Sequence, residues 1–308
     1  MQKQAEIERK GILAFLIITF VITYAIEGIL IASGFRFAAI PGAYGQVVVL
    51  VAMWVPTVAT LVTVKFVTHE KSALGNLRFG PWKPYLESGL IMPLCFAMIY
   101  GITWALSLAQ PDWTLEQFRA MFIATGVNFP PIPHPEQVLL GLFFVSLVVA
   151  PFFNGLVALG EEIGWRGYLL PRLMPLGKTR AYLVLGVIWG LWHMPLVLIG
   201  FTYPNQPILG TLAFIAMTTA IGIYINELTL ENTSCLLAAW VHGIFNSQKL
   251  GMWSLLFPRF NPLLGGFSGV VGILVWLALG GWQVNRARSG RAATTNDRDV
   301  YHENQSAS

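Results

Sequence analysis

Apolar residues run in long blocks along this chain, and short polar stretches separate the blocks. A helix that crosses a bilayer needs about 20 consecutive, mostly apolar residues. Backbone polar groups inside a bilayer must find partners within their own segment, so such blocks form helices. The expected fold is therefore all-α, a polytopic membrane helical bundle with about eight transmembrane helices. They are predicted at residues 11–33, 45–67, 86–108, 137–159, 181–200, 207–226, 234–254 and 264–285.

The composition agrees with this pattern. Of the 308 residues, 55% are hydrophobic and 11% are charged, and the mean hydropathy is +0.63. A soluble domain has about 25% charged residues. The first apolar block is longer than the apolar core of a signal peptide, about 7–15 residues, so we interpret it as a retained span. Residues 1–285 are predicted to form the bundle, and the polar tail at 286–308 is expected to be disordered.

Most of the 19 Lys and Arg residues precede the first block, follow the second and fourth blocks, or lie in the tail. Cytoplasmic loops are enriched in basic residues, so both the N-terminus and the C-terminus are predicted to be cytoplasmic. Anionic lipid headgroups account for the formal net charge of +4. We therefore expect the lipid bilayer as a partner, no nucleic acid, and the plasma membrane as the location. The two cysteines form no metal-binding pattern.

Ionisable residues at membrane depth cost about 2.5–3.5 kcal/mol each on insertion scales and are usually functional. Glu27 is such a residue, and no basic residue lies within helical reach in its own segment. A neutral carboxylic acid that is hydrogen-bonded to a neighbour is the expectation, and a role in a cavity is the alternative. The other polar residues at this depth form three motifs on three predicted helices.

The first motif ends the fourth predicted span. Glu162 and Arg166 are four residues apart, share a helix face and are predicted to pair. Glu161 is turned by about 100° from Glu162 and has no such partner in its segment. One glutamate is then committed to an arginine while the other is available for chemistry. Taken alone, the same three residues are also consistent with a charge cluster facing the cytoplasm.

The second and third motifs supply two imidazoles. His193 follows Trp189 by four residues, and Asn246 follows His242 by four. Each pair alone is consistent with packing or an interhelical hydrogen bond. Together with Glu161 they are the inventory of a hydrolase: Glu161 and His193 can activate a water, and His242 and Asn246 can donate hydrogen bonds to an oxyanion. Alternatively, Glu161, His193 and His242 are candidate ligands for a divalent metal such as zinc.

The three motifs, in this order and spacing, resemble those of the CPBP intramembrane protease family. They read Glu161-Glu162-x-x-x-Arg166, Trp189-x-x-x-His193 and His242-x-x-x-Asn246, within a motif core at about 136–255. That family includes CAAX-processing endopeptidases and the bacteriocin-processing or Abi proteins. Trp189 stands where the family more often has Phe.

The resemblance implies an intramembrane endopeptidase that hydrolyses a peptide bond of a membrane-associated peptide or protein. The roles that it implies are water activation by Glu161 with His193, orientation of the site by Glu162 with Arg166, and oxyanion stabilisation by His242 with Asn246. The substrate stays open between a prenylated CAAX tail and a leader or bacteriocin-like peptide.

Three alternatives also stay open. The family has been discussed both as metalloproteases and as glutamate proteases without a metal. The chain has no HExxH motif, and Asn246 is a poor zinc ligand but a good oxyanion donor. Both observations favour a glutamate protease without a metal. A non-catalytic scaffold or immunity protein of the same fold is another reading. A transporter is the third, although it should show inverted repeats or paired helix breaks, and the sequence shows neither.

Overall fold

Helices make up the computed structural model, which describes residues 2–35, 37, 43–70, 76–124 and 126–306. Side chains are described for residues 8–35, 37, 47–70, 76–124 and 126–289. The β pairing in this described part is one antiparallel bridge between Ala109 and Phe260. The predicted all-α fold is therefore confirmed. The helices are α1 Gln2–Ala32, α2 Ala43–Ala52, α3 Val55–Thr63, α4 Lys83–Ala105, α5 Glu116–Ala124, α6 Pro135–Phe144, α7 Ala150–Glu162, α8 Leu170–Leu173, α9 Lys178–Trp192, α10 Met194–Leu198, α11 Pro207–Asn232, α12 Cys235–Leu250, α13 Met252–Leu256 and α14 Val270–Ser306.

Six helical stretches of the described residues are long and apolar enough to cross a membrane. They are Glu8–Ala32, Val47–Thr68, Lys83–Ala105, Pro135–Leu176, Pro207–Asn232 and Val270–Ser289. Large apolar side chains point outward from these stretches, as lipid contact requires. The protein is thus an integral multi-pass membrane protein. The predicted spans at 181–200 and 234–254 correspond to the shorter helices α9 and α12, so the number of spans and the side of each terminus stay predictions.

The last helix differs from the expected C-terminal tail. Helix α14 continues through Ser306, whereas the composition predicts disorder over 286–308. A helix that an apolar span has already begun gains one backbone hydrogen bond for each residue added, without a new nucleation cost. Composition alone does not account for this gain from extending an existing helix. The boundary of the bundle at residue 285 stays a prediction.

Glycines bring α7 and α12 into direct backbone contact. A Cβ atom at Gly243 of α12 would lie 2.5 Å from the Gly155 nitrogen and 2.6 Å from the Pro151 carbonyl oxygen. Small residues allow helices in a membrane to approach this closely. The contact places the end of α7, which carries the two glutamates, beside the middle of α12, which carries His242.

A second set of glycines brings α3 against the end of α7. A Cβ atom at Gly160 would lie 2.7 Å from the Met53 carbonyl oxygen, and one at Gly164 would lie 2.5 Å from the Pro56 side chain. The Thr57 hydroxyl also donates a hydrogen bond to the Gly160 carbonyl at 2.6 Å. The backbone on both sides of Glu161 and Glu162 is therefore held by close packing.

The break between α9 and α10 lies at His193. Pro195 has no N–H group to donate to the carbonyl four residues earlier, which belongs to Leu191. The Tyr24 hydroxyl of α1 donates to that Leu191 carbonyl at 2.6 Å. A side chain from the first helix thus satisfies a carbonyl that the proline leaves without its usual partner. This contact holds α1 beside the segment that carries His193.

Candidate active site

Residues from each of the three motifs line a cavity of about 500 Å³. This volume lies within the range of small-molecule and peptide-binding pockets, about 300–1,000 Å³. Its wall is mostly apolar, with aromatic rings from α9, α11 and the loop between α10 and α11. The polar side chains in the lining are Glu27, Asn154, Glu161, Trp189, Trp192, His193, Thr218, His242, Asn246 and Lys249.

Glu162 is fully buried and is held by two cationic or polar partners. Its Oε1 atom accepts a hydrogen bond from Arg166 Nη1 at 2.9 Å and another from His242 Nδ1 at 2.8 Å. The Glu162–Arg166 pair predicted from the i, i+4 spacing is present. The bond to His242 joins α7 to α12 and was not predicted, since spacing along one helix says nothing about a neighbour on another.

Arg166 is also fixed on its other sides. Its Nε atom donates to the Asn226 side-chain oxygen at 3.0 Å, and its guanidinium lies 4.3 Å from the centre of the Trp189 ring. Asn226 is completely buried in α11. Sequence reasoning missed this residue, although an Asn inside an apolar span is a signal that marks a buried polar contact.

Glu161 occupies a different environment from that of Glu162. Its Oε2 atom accepts a hydrogen bond from the Trp189 indole N–H at 2.7 Å, and its carboxylate lines the cavity. Glu162 does not line the cavity. The two adjacent glutamates therefore point in different directions: Glu162 faces Arg166, and Glu161 faces the cavity.

The backbone after Glu162 forms a π-helical turn over Ile163–Leu169. The Leu170 N–H group bonds to the Trp165 carbonyl, five residues earlier rather than four. The next residue, Pro171, has no N–H group, so a regular α-helical ladder could not continue through it. Such π turns are frequent at functional sites. Here the wider turn contains Arg166, which donates back to the Glu162 carboxylate.

The two imidazoles each use Nδ1 for a structural hydrogen bond. His193 Nδ1 bonds to the Trp189 carbonyl oxygen at 3.0 Å, and His242 Nδ1 bonds to Glu162 Oε1. A carbonyl or carboxylate oxygen can only accept, so Nδ1 carries the hydrogen in both rings. Nε2 is thus the nitrogen that each ring has left for water or a substrate in the cavity that both residues line.

Asn246 and Glu27 complete the polar lining that the sequence singled out. Asn246 lies one turn after His242 on α12. Glu27 comes from α1 and is 1% exposed, and its Oε2 atom has no hydrogen-bond partner among the described residues. The structure thus places Glu27 at the cavity, which was the alternative expectation, and it does not show the hydrogen bond expected for this oxygen.

The predicted metal ligands do not form a ligand cluster. Within the described part of the chain, no three or more His, Cys, Asp or Glu side chains are grouped so that they could hold a metal ion. Glu162 is already committed to Arg166 and His242. In this arrangement Glu161, His193 and His242 do not form a closed metal site, and catalysis without a metal stays a prediction.

Lys249 is a cavity residue that the sequence analysis did not single out. It lies within the predicted span 234–254, and the structure places it in the last turn of α12, in the cavity wall. Its ammonium lies 4.1 Å from the centre of the Phe201 ring and 5.4 Å from that of Phe267. The spacing of seven from His242, which repeats the helix face, is the signal that could have revealed it.

Comparison with known proteins matches this core. Residues 136–248 match the family model described as type II CAAX prenyl endopeptidase Rce1-like. This match supports the resemblance of the motif core to the CPBP family. A relative named CAAX prenyl protease 2, from Methanococcus maripaludis, is 33% identical over 113 residues, which are 35% of this chain and 42% of the relative. The chain thus spans less than half the length of the curated relative it matches.

The matched core contains all three motifs but not the whole cavity. Glu27 lies in α1, whereas the match begins in α6, and Lys249 follows the last matched residue by one position. Tyr24, which donates to the Leu191 carbonyl, also lies outside the match. Parts of the cavity wall are therefore contributed by segments outside the matched residues.

Proposed function

We propose that this protein is an intramembrane endopeptidase that hydrolyses a peptide bond with water activated by Glu161. The observation that carries the proposal is the division between the two glutamates. Glu162 is neutralised by Arg166 and hydrogen-bonded to His242, whereas Glu161 faces the cavity with the two imidazoles and Asn246. A carboxylate at the wall of an apolar cavity can act as a general base on a bound water.

The chemical step is a hydrolysis. Glu161 takes a proton from water while the water oxygen attacks the carbonyl carbon of the peptide, and His193 Nε2 accepts the second water hydrogen as a hydrogen bond. The peptide C–N bond then breaks, and Glu161 passes its proton to the leaving nitrogen. The Trp189 N–H group holds Glu161 in place throughout.

Two groups stabilise the oxyanion that forms on the carbonyl oxygen. Asn246 donates from its side-chain amide. His242 donates from Nε2 when its ring carries a hydrogen on both nitrogens, and Glu162 Oε1 accepts from Nδ1 at 2.8 Å. Donors fixed before the reaction are worth about 10²–10³ in kcat. Glu162 and Arg166 are positioning residues in this scheme, because they act through His242 and Trp189.

The substrate is proposed to be a membrane-associated peptide or protein, and the membrane is proposed to be the plasma membrane. The mostly apolar cavity suits a hydrophobic segment. The name of the Methanococcus relative supports a prenylated C-terminal tail as the first substrate to test. A leader or bacteriocin-like peptide is the second, because the motifs are shared by that branch of the family.

Proteolysis by the purified protein in liposomes tests the proposal. Wild type and Glu161→Gln are compared on a peptide library that includes prenylated C-terminal sequences, with and without a strong chelator. We expect cleavage by the wild type, its loss by about 10²–10⁴-fold in the variant, and no effect of the chelator. Cleavage that survives Glu161→Gln would refute the assigned base. Cleavage lost with the chelator and restored by added zinc would replace it with metal-assisted hydrolysis.

A further inference from the structure

Glu27 is a buried carboxyl in the cavity wall that has no cation paired with it among the described residues. It lies in α1, is almost completely buried and lines the cavity. Its Oε2 atom has no hydrogen-bond partner, and no ion pair of the described side chains includes it. By contrast, the buried Glu162 pairs with Arg166, and the buried Glu227 pairs with Lys178. A buried carboxylate is costly unless a partner compensates it, so Glu27 differs from these structural acids.

Two hydrogen bonds from the preceding turn of α1 fix the position of Glu27. The Thr23 hydroxyl oxygen accepts from the Trp192 indole N–H group at 2.9 Å, and the Tyr24 hydroxyl donates to the Leu191 carbonyl at 2.6 Å. Both partners are at the end of α9. The carboxyl is therefore held against the wall of the cavity by two rigid helices. Such support is what a residue that selects a ligand requires.

Glu27 faces the same space as the proposed base. It is close enough to Glu161 for the two charges to interact, and these two are the carboxyls in the described lining. Like charges repel, so Glu161 does not compensate Glu27. The cation of this lining, Lys249, lies against the Phe201 and Phe267 rings and forms no ion pair with Glu27. A cation that complements Glu27 is thus expected from the peptide that enters the cavity.

We propose that Glu27 is a specificity-determining residue that binds the cationic side chain of a lysine or arginine in the substrate. This inference deepens the proposed function and rests on it, because it takes the scissile bond to lie at Glu161. A charge-assisted hydrogen bond is about twice as strong as a neutral one. The aliphatic stem of either side chain suits the mostly apolar wall, while its charged end reaches the carboxyl. Peptides with a basic residue near the cleaved bond are then the preferred substrate class.

The two carboxyls also limit where the basic residue lies in the peptide. Because Glu27 and Glu161 interact, the bound side chain belongs to a residue close to the cleaved bond. An extended chain advances about 3.3–3.6 Å per residue, and successive side chains point to opposite sides. One fixed carboxyl therefore meets the side chain at one position and not at the two adjacent positions. A preference confined in this way distinguishes direct contact from a general attraction between an acidic cavity and a cationic peptide.

Cleavage of a matched peptide set tests the contact. The peptides share one apolar sequence, are acetylated at the N-terminus, and carry lysine or norleucine in turn at each position around the cleaved bond. Wild type is expected to prefer lysine by about tenfold or more in kcat/KM at one position. Glu27→Gln should reduce this ratio, and Glu27→Leu should bring it to about one. Glu136→Gln is the control, because Glu136 is an exposed carboxylate paired with His134 and lies outside the cavity lining, and it should keep the ratio.

Binding supplies a readout that does not need catalysis. Fluorescent lysine and norleucine peptides are titrated on Glu161→Gln and on Glu161→Gln combined with Glu27→Leu. Since residue 161 is then uncharged, a preference for lysine in the first variant has to come from the other carboxyl of the described lining. The lysine peptide should bind about tenfold tighter than the norleucine peptide to the first variant, and equally to the second. Equal binding of both peptides to Glu161→Gln would overturn the proposal.

Thermal unfolding distinguishes this role from a structural one. Glu27→Leu removes a buried carboxyl without a cation, so the Tm of the protein without peptide should be at least that of the wild type. A fall in Tm together with an unchanged ratio of lysine to norleucine would assign Glu27 to the fold and overturn its role in specificity. A peptide with a free N-terminal amine and no lysine that binds as well as the lysine peptide would refute the side-chain assignment.

Two results separate this inference from the proposed function. Cleavage that depends on Glu161 but treats lysine and norleucine alike at every position would refute the contact with Glu27 while the peptidase stands. Binding that prefers lysine through Glu27, without cleavage of any peptide by the wild type, would support the contact and refute the peptidase.

Discussion

His242 donates a hydrogen bond from Nδ1 to Glu162 Oε1 across 2.8 Å, although the two residues are 80 positions apart in the chain. The bond fixes the orientation of the imidazole ring and joins α7 to α12 at the depth of the cavity. Because the same oxygen accepts from Arg166, a single carboxylate organises both the cation and the ring. Glu162 therefore organises the site structurally, whereas Glu161 is the proposed general base.

The two glutamates should respond differently to the same substitution. Glu162→Gln leaves Arg166 without its carboxylate in a fully buried place, and breaking one side of a buried ion pair costs about 3–5 kcal/mol. Glu161→Gln keeps the acceptor for the Trp189 N–H group, so its fold should be retained. Thermal unfolding in detergent should show a fall in Tm of roughly 10 °C for Glu162→Gln and little change for Glu161→Gln.

Activity completes the comparison between these variants. Glu161→Gln should be folded and inactive, whereas Glu162→Gln should lose both stability and activity. Equal Tm values for the two variants would contradict the division of roles. Adding Asn226→Asp to Glu162→Gln tests the role of Arg166. The new carboxylate would accept from Arg166 Nε at the position 3.0 Å away that the Asn226 oxygen now occupies, so the double variant should regain part of the lost Tm.

Trp189 tests whether the indole N–H group matters to Glu161. Trp189→Phe removes the N–H donor that lies 2.7 Å from Glu161 Oε2 but keeps an aromatic ring. Phe is also the residue that the CPBP family, which the motifs resemble, more often has at this position. A hydrogen bond to a charged group contributes about 1.5–3 kcal/mol. We therefore expect kcat to fall by about tenfold or more while the protein still folds, as measured by steady-state proteolysis.

A second tryptophan supplies the matched control. Trp276 is fully buried and donates its indole N–H group to the Phe267 carbonyl at 2.9 Å, away from Glu161. Trp276→Phe should lower Tm by a similar amount to Trp189→Phe and leave kcat unchanged. If both variants lose the same fraction of kcat, the effect of Trp189 is one of packing and not of its bond to Glu161.

The sequence was sufficient for the all-α membrane fold and for the motif residues that meet at the cavity. Helical spacing also predicted the Glu162–Arg166 pair, because that contact lies within one element. It could not predict the bonds from His242 to Glu162 or from Arg166 to Asn226, because these depend on which helices are neighbours. Periodicity within a segment carries no information about its packing partner.

The short helices and the cavity wall were less predictable for related reasons. Hydropathy assigned full-length spans to 181–200 and 234–254, but α9 stops at the break before Pro195 and α12 stops at Gly251. Lys249 was not singled out, because charged side chains are usually at the surface. The sequence places it on the helix face of His242 but does not show that this face lines a cavity.

Helix packing at the site depends on a glycine, and Gly243 shows this most directly. Gly243→Ala would place a methyl group 2.5 Å from the Gly155 nitrogen, so α7 and α12 would have to separate. That separation would lengthen the bond between Glu162 and His242. We expect a loss of Tm and at least a tenfold loss of kcat, because overpacking costs about 1–3 kcal/mol and displaces the ring.

Gly101 is the control for this change. It lies in α4, and a Cβ atom there would meet nothing within 4 Å. Gly101→Ala should keep full activity and raise stability slightly, since Ala is favoured over Gly in a helix by up to about 1 kcal/mol. A Gly243→Ala protein with unchanged Tm and activity would show that α7 and α12 have room that the structure does not show.

Glu70, two residues beyond the end of the second span, pairs with Arg172 in the segment after the π turn. Arg172 Nη2 donates to both Glu70 oxygens, at 2.5 and 2.6 Å. Partial burial raises the pKa of Glu70, but the hydrogen bonds from Arg172 and Thr68 and the Arg172 charge outweigh it, so the pKa lies below the ordinary 4.5. A carboxyl whose pKa is lowered on folding contributes stability above its unfolded pKa and loses it as the pH falls through the folded pKa.

Glu70→Gln should therefore lower Tm near neutral pH, by no more than about 3 °C because the pair is exposed to solvent. The difference from the wild type should shrink as the pH falls below 4.5 and vanish below the folded pKa. Thermal unfolding in detergent between neutral and acid pH measures it, with Glu116→Gln as a control at the surface pair with Arg119. A Tm difference for Glu70→Gln that stays constant across this range would show that the carboxylate charge does not hold Arg172.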